Sequence, residues 1–333
     1  MFLKYINNFR GVAILIILAY HSLHAASWGA NDILKRVLEI TVMNCTLMFI
    51  FISGYLFQYL LPKYNYKLYL KKKFRNVIVP YLFMSAPAVI LLITNSKYVS
   101  KPWIYETGLM GESILTDIFF LEITGSQWYH FWFIPMIVIF YLLAPLFNYI
   151  TKHPKLYYGI LLLLMISFFI SRPQDNNNPF HSFLYYLPVY LTGMVSCQFS
   201  NKINMVVTRY LGYIFFLLLI ISAAIYFTSI NDLSIFQKIV MSYFFLGLML
   251  RFSEKDILFL NVSAKYSFGL YFIHMYVIFF IMLLIRHFDI NILIPDNFIS
   301  FILLFILVTI VSLMILTIMK KIIGHNSRII MGS

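Results

Sequence analysis

Apolar stretches of about 17 to 25 residues recur along the chain, separated by short polar or basic connections. A run of that length is what crosses roughly 30 Å of hydrocarbon at about 1.5 Å per helical residue. Ten segments meet the pattern, at approximately 10–27, 37–61, 77–94, 129–150, 156–171, 183–200, 210–229, 235–251, 266–286 and 298–320. The pattern predicts an all-α fold: a polytopic membrane helical bundle of about ten transmembrane helices, forming one domain over residues 1–333. The run at 156–171 is short, and the one at 235–251 is interrupted by polar residues.

Composition narrows the class. With 62% hydrophobic and only 11% charged residues, and a mean hydropathy of +0.85, the chain lacks the polar surface that a water-soluble fold requires. Its 25 Tyr and 34 Phe suit lipid-facing surfaces and interfacial belts. The two cysteines, Cys45 and Cys197, lie inside apolar runs and read as small packing residues. No metal-ligand spacing is present. The first apolar run is followed by further spans and by no small-residue cleavage pattern, so it is expected to remain as an anchor.

A net charge of +13 brings nucleic acid to mind, but no basic segment outside the apolar runs is large enough to form a binding domain. Topology accounts for the charge better. With the N-terminus inside, Lys4, Arg10, Lys63, Lys67, Lys71, Lys72, Lys73, Arg75, Lys152, Lys155, Lys202, Arg209, Arg251, Lys255, Lys265, Lys320, Lys321 and Arg328 fall on the cytoplasmic side, 18 of the 25 bases. Ten of the 12 acids fall outside, among them Glu106, Glu112, Asp117 and Glu122, leaving Glu254 and Asp256 inside. Both termini are expected in the cytoplasm. The longest hydrophilic segment, Asn95 to Gln127, is too short for an independent domain, and Pro173 to Pro179 is an outer turn cluster. Chemistry must therefore occur within or beside the bundle.

Polar residues at membrane depth mark candidate sites. Arg10 and His21 are eleven positions apart, which puts them on nearly one face of the first helix and about 16 Å apart along its axis. Arg10 falls at the cytoplasmic rim, where it can also act as an orientation anchor, and His21 falls near mid-depth, where it needs a cavity or an interhelical partner. His24 follows one turn on. Ser53-Gly54 is a small pair inside the aromatic run Phe49 to Phe57 of the second helix, suited to close helix packing or to a thin ligand. Lys71, Lys72, Lys73 and Arg75, ahead of Pro80, fit an orientation signal, anionic membrane lipids or the phosphates of a nucleotide-bearing donor. Trp128 to Pro135, with His130 and Trp132, opens the fourth helix with belt aromatics that can also stack on a sugar. Ser263 to His274 leads into the ninth helix and ends on another mid-depth histidine.

As an ordered set these motifs resemble the acyltransferase-3 family of bacterial membrane O-acyltransferases: Arg10 with His21, Ser53-Gly54, the basic segment before Pro80, His130-Phe131-Trp132-Phe133 and Tyr271-Phe272-Ile273-His274. The resemblance spans nearly the whole chain. It departs at Asn7, where family members commonly carry an acid three positions before the arginine. The resemblance implies a multi-pass protein of the bacterial inner membrane with no permanently bound cofactor, transferring an acetyl group from cytoplasmic acetyl-CoA to a lipid-linked or surface glycan such as lipopolysaccharide O-antigen. It also implies catalytic roles for His21 and Arg10. Donor contacts fall at Arg10, Ser53, Gly54, Lys71, Lys72, Lys73 and Arg75, and acceptor contacts at His130, Trp132, Tyr271 and His274. His21 is then a general base or an acyl carrier. A polysaccharide polymerase or flippase is the rival reading.

Overall fold

A computed structural model describes residues 3–26, 28, 33–94, 111, 113–173, 178–253, 255, 257–288 and 297–332. Most of the Asn95 to Gln127 segment, including Glu106 and Glu112, lies outside the described residues, as do Glu254, Asp256 and positions 174–177 of the outer turn cluster. Every element among the described residues is helical. The first half comprises α1 (Lys4–Ala25), α2 (Ile33–Val42), α3 (Thr46–Leu60), α4 (Tyr66–Lys73), α5 (Val79–Ile93), α6 (Ile114–Thr124), α7 (Phe133–Leu142), α8 (Ala144–Lys152) and α9 (Gly159–Ile170). The second half comprises α10 (Pro179–Gln198), α11 (Ser200–Arg209), α12 (Leu211–Thr228), α13 (Ser234–Arg251), α14 (Leu258–Lys265), α15 (Ser267–His287), α16 (Phe298–Ile323) and α17 (Ser327–Ile330).

Seven helical stretches are long and apolar enough to cross a membrane, and the bent pair α7–α8 makes an eighth. Two expected spans fail that test for different reasons. The one at 156–171 is a short apolar helix, α9 with the turn before it. The one at 183–200 lies in α10, whose 20 residues reach about 30 Å. Tyr185, Tyr186, Pro188, Thr192 and Ser196 of α10 are buried in the protein, so it can carry polar groups that a lipid-facing helix would not. The chain is a helical membrane protein.

The centre of the bundle is the crossing of α3 and α10, made close by two glycines. A Cβ on Gly54 would stand 2.0 Å from the Tyr190 carbonyl oxygen, and one on Gly193 would stand 2.1 Å from that of Phe51. Gly11 brings α1 against the Leu260 carbonyl of α14 in the same way.

Two expected continuous helices are broken, and side chains donate to carbonyls at both breaks. The second span divides into α2 and α3 around Asn44, whose φ is 58°. The fully buried Lys238 of α13 donates to the Ile40 and Thr41 carbonyls at 3.0 and 2.8 Å and to Gln237 Oε1 at 2.7 Å. Tyr186 donates to Asn44 Oδ1, and Asn44 Nδ2 donates to Ser234. Thus Lys238, one of the polar residues that interrupt the 235–251 run, is the group that completes the break in a neighbouring span. The fourth span bends by 55° between α7 and α8 at Pro145, and Tyr66 donates to the Leu142 carbonyl there at 3.0 Å.

Residues 125–132 form turns, so His130 and Trp132 precede α7 instead of opening a helix. Gly125 explains the difference: its φ is 72°, and a Cβ there would lie 2.6 Å from the Phe131–Trp132 backbone.

Candidate functional site

The structure keeps α1 unbroken through Arg10 and His21, so the spacing read from sequence holds as geometry. Arg10 crosses to the α14–α15 junction, donating to Ser267 Oγ at 2.8 Å and to the Ala264 carbonyl at 3.3 Å. Guanidinium is suited to this place, where a helix end leaves carbonyls unpaired. Asn7, three positions earlier, donates to Asn261 Oδ1 at 3.0 Å, so this position ties α1 to α14 and does not orient Arg10.

A cavity of about 200 Å³ opens beside Arg10. Arg10, Lys73 and Ser267 line its end nearest the basic connections; Ser53, Tyr141 and Phe133 form its wall; Ile17 and Tyr271 lie at its inner end. Of the four bases singled out in sequence, only Lys73 reaches it. Lys71, Lys72 and Arg75 are exposed. Lys73 is held with its ammonium 4.4 Å from the Tyr141 ring centre and 5.3 Å from that of Tyr69. Phe74–Ile78 forms one π-helical turn between α4 and α5, just before Pro80. The small pair also divides: Ser53 faces the cavity, whereas Gly54 is turned into the backbone of α10 and is a packing residue.

One helical turn beyond Ile17 lies His21, in a cluster the sequence did not reveal. Its ring centre is 5.1 Å from that of His274 on α15, and His274 is 5.1 Å from His130. His274 Nδ1 sits 2.9 Å from the Leu270 carbonyl, which can only accept, so that nitrogen carries the proton. Its Nε2, buried without a hydrogen-bond partner, is then an acceptor among the other imidazoles. Tyr271 donates to the His130 carbonyl and pins this turn to α15. Tyr271 thus belongs both to the cavity wall and to the support of the cluster, and His130 and His274, placed with the acceptor from sequence, stand beside His21 itself. Among the described residues no group of histidines, cysteines and acids has an arrangement that could hold a metal.

On the far side of the cluster Trp132 stacks on Tyr186, with ring centres 5.5 Å apart and planes at 21°. The Arg172 guanidinium lies 6.0 Å from the Trp132 ring centre. Tyr20, Tyr185 and Tyr186 are its electrostatic neighbours, and its charge also acts on His21. Tyr20 contacts the rings of both His21 and His24, and His24 pairs with Glu39 at 3.6 Å. Sequence reasoning passed over Arg172, although a lone base beside the outer turn cluster was a signal. It also missed Ser267 and Tyr141, which nothing local distinguishes.

These features define a polytopic membrane protein with an internal histidine cluster, one helical turn beyond a cavity that carries fixed positive charge. The acyltransferase-3 domain model, described as an acyltransferase domain, matches residues 3–317, and the chain belongs to that family. No curated protein and no solved structure matches it. The membership makes the chain a membrane acyltransferase.

Proposed function

We propose that the chain transfers an acetyl group from acetyl-CoA to a hydroxyl of a surface glycan, such as lipopolysaccharide O-antigen, at the bacterial inner membrane. The observation that carries the reading is the cavity lined by Arg10, Lys73 and Ser53, which leads from the basic end of the bundle to within one helical turn of His21. Phosphates of the donor bind at Arg10 and Lys73 through charge-assisted hydrogen bonds, and the narrow pantetheine arm runs past Ser53 toward Ile17 and Tyr271. The acceptor approaches from the opposite side, along Trp132, Tyr186 and Arg172, where aromatic faces suit a sugar ring.

His21 then acts between the two substrates. As general base it takes the proton of the acceptor hydroxyl while the oxygen attacks the thioester carbonyl. The C–S bond breaks, and the imidazolium returns the proton to the coenzyme A thiolate. A two-step route through acetyl-imidazole balances equally, with the acceptor attacking the acetyl-enzyme. Mass spectrometry of glycan from cells expressing the wild-type protein, His21→Ala or no protein tests the reading. Acetyl groups should appear only with the wild type; a glycan identical in all three cases would overturn the assignment.

A further inference from the structure

The family match stops at residue 317, yet the structure continues into a short segment that is firmly seated against the donor side of the bundle. α17 packs on α5 and on the π-helical turn Phe74–Ile78 that follows Lys73. Met331 is fully buried, in the apolar cluster that contains Leu270 and Phe272, and Ser327 is buried as well. Gly332, with a φ of 74°, lies so close to Phe268 that a Cβ there would stand 2.2 Å from the ring. Phe268 is itself a wall of the Arg10–Lys73 cavity, so the segment is built onto the back of that wall.

Its one charged side chain, Arg328, is exposed and is the electrostatic neighbour of Arg10, which in turn neighbours Lys73. Lys265 and Lys320 flank the Tyr266 ring at 5.6 and 5.3 Å, immediately before Ser267, the hydroxyl that Arg10 holds. None of the ion pairs among the described residues involves these five cations. Arg10 and Lys73 line the cavity, while Arg328, Lys265 and Lys320 stand around its Arg10 end. Like charges gathered there repel one another, and a bound polyanion relieves that repulsion.

We infer that the segment Ser327–Gly332 forms the outer edge of the donor site, with Arg328 contributing to the phosphates at the adenosine end of coenzyme A. This deepens the proposed function and rests on it. The exposed position fits a group that meets the wet, diphosphate and 3′-phosphate end of the donor while the pantetheine enters between Arg10 and Lys73. It also assigns a purpose to the burial of Met331 and the closeness of Gly332, which fix a short helix that could not hold a position on its own.

Full-length protein in nanodiscs, titrated with coenzyme A at low and high ionic strength, tests this. Arg328→Gln should weaken binding about three- to fivefold at low salt, the range of one partly exposed charge contact, and the difference should shrink at high salt. Arg328→Lys should restore most of the affinity, and thermal stability should be alike in all three. Equal affinity in wild type, Gln and Lys forms would overturn the inference, as would a loss that Lys does not rescue or that salt leaves unchanged. Absence of coenzyme A binding by the wild type would instead overturn the donor assignment itself, and this inference with it.

Discussion

At the residue scale the proposed chemistry turns on an imidazole, His21, whose surroundings were only partly legible. The Arg10 to His21 spacing could be read because an uninterrupted helix converts eleven positions into a fixed angle and rise, and α1 has no interruption. That His274 and His130 join His21 could not be read, since it depends on how α15 and a glycine-dependent turn pack against α1. His274 thus stands in ring contact with His21, and in the proposed mechanism it serves to position that ring. His21→Ala and His21→Gln should both abolish acetylation at matched membrane abundance, because an amide neither accepts a proton near neutral pH nor serves as a comparable nucleophile. His274→Gln should leave a residual rate, reduced about 10- to 100-fold by misplacement of the His21 ring. Near-normal acetylation by His21→Gln would end the catalytic assignment. Arg10 bonds Ser267 and the Ala264 carbonyl through one nitrogen, Nη2, which leaves its other N–H groups for donor phosphates. Arg10→Lys keeps the charge but loses those further donors, so it should raise the KM for acetyl-CoA by about tenfold. An unchanged KM would remove Arg10 from donor binding.

At the scale of elements, the sequence revealed where helices exist better than where they break. Hydropathy reports the mean character of a window, whereas a break depends on a partner elsewhere that can take up the released carbonyls. Lys238 is the clearest case. Read locally it disturbs a span; in the structure it is the donor that makes the α2–α3 break tolerable. Lys238→Met should therefore destabilise the protein by about 2–4 kcal/mol, through unpaired buried carbonyls, even though it makes α13 more apolar. Thermal unfolding in detergent measures this, and a variant as stable as wild type would show that water or another donor replaces the ammonium. The α3–α10 crossing gives a second expectation. Gly54→Ala and Gly193→Ala each force backbone apart at the centre of the bundle, and each should cost about 1–3 kcal/mol or more. Ser53→Ala, facing the cavity, should spare stability and alter donor affinity instead.

At the scale of the whole molecule the open quantity is the number of crossings, and the two candidate arrangements differ in one hairpin. α9 and α10 are consecutive, so adding or removing both leaves the orientation of every other helix unchanged. Fusions after Arg75, Lys155, Lys202, Lys255 and Arg328 should all report cytoplasm with ten crossings, and equally with eight. Only the connection between α9 and α10 discriminates. We expect it outside, because α10 is long enough to span and its polar face is buried against α3 and α7, where lipid never meets it. Its low hydropathy is then a consequence of lying at the centre of the bundle. An outer position also brings Arg172, Trp132 and Tyr186 to the side assigned to the acceptor in the proposed function, opposite Lys73 and Arg10. A single cysteine at position 176, with Cys45 and Cys197 replaced by alanine, should react with a membrane-impermeant maleimide in intact spheroplasts. Labelling only after the membrane is opened would place the hairpin inside, reduce the crossings to eight and leave the acceptor without an outer approach along α10.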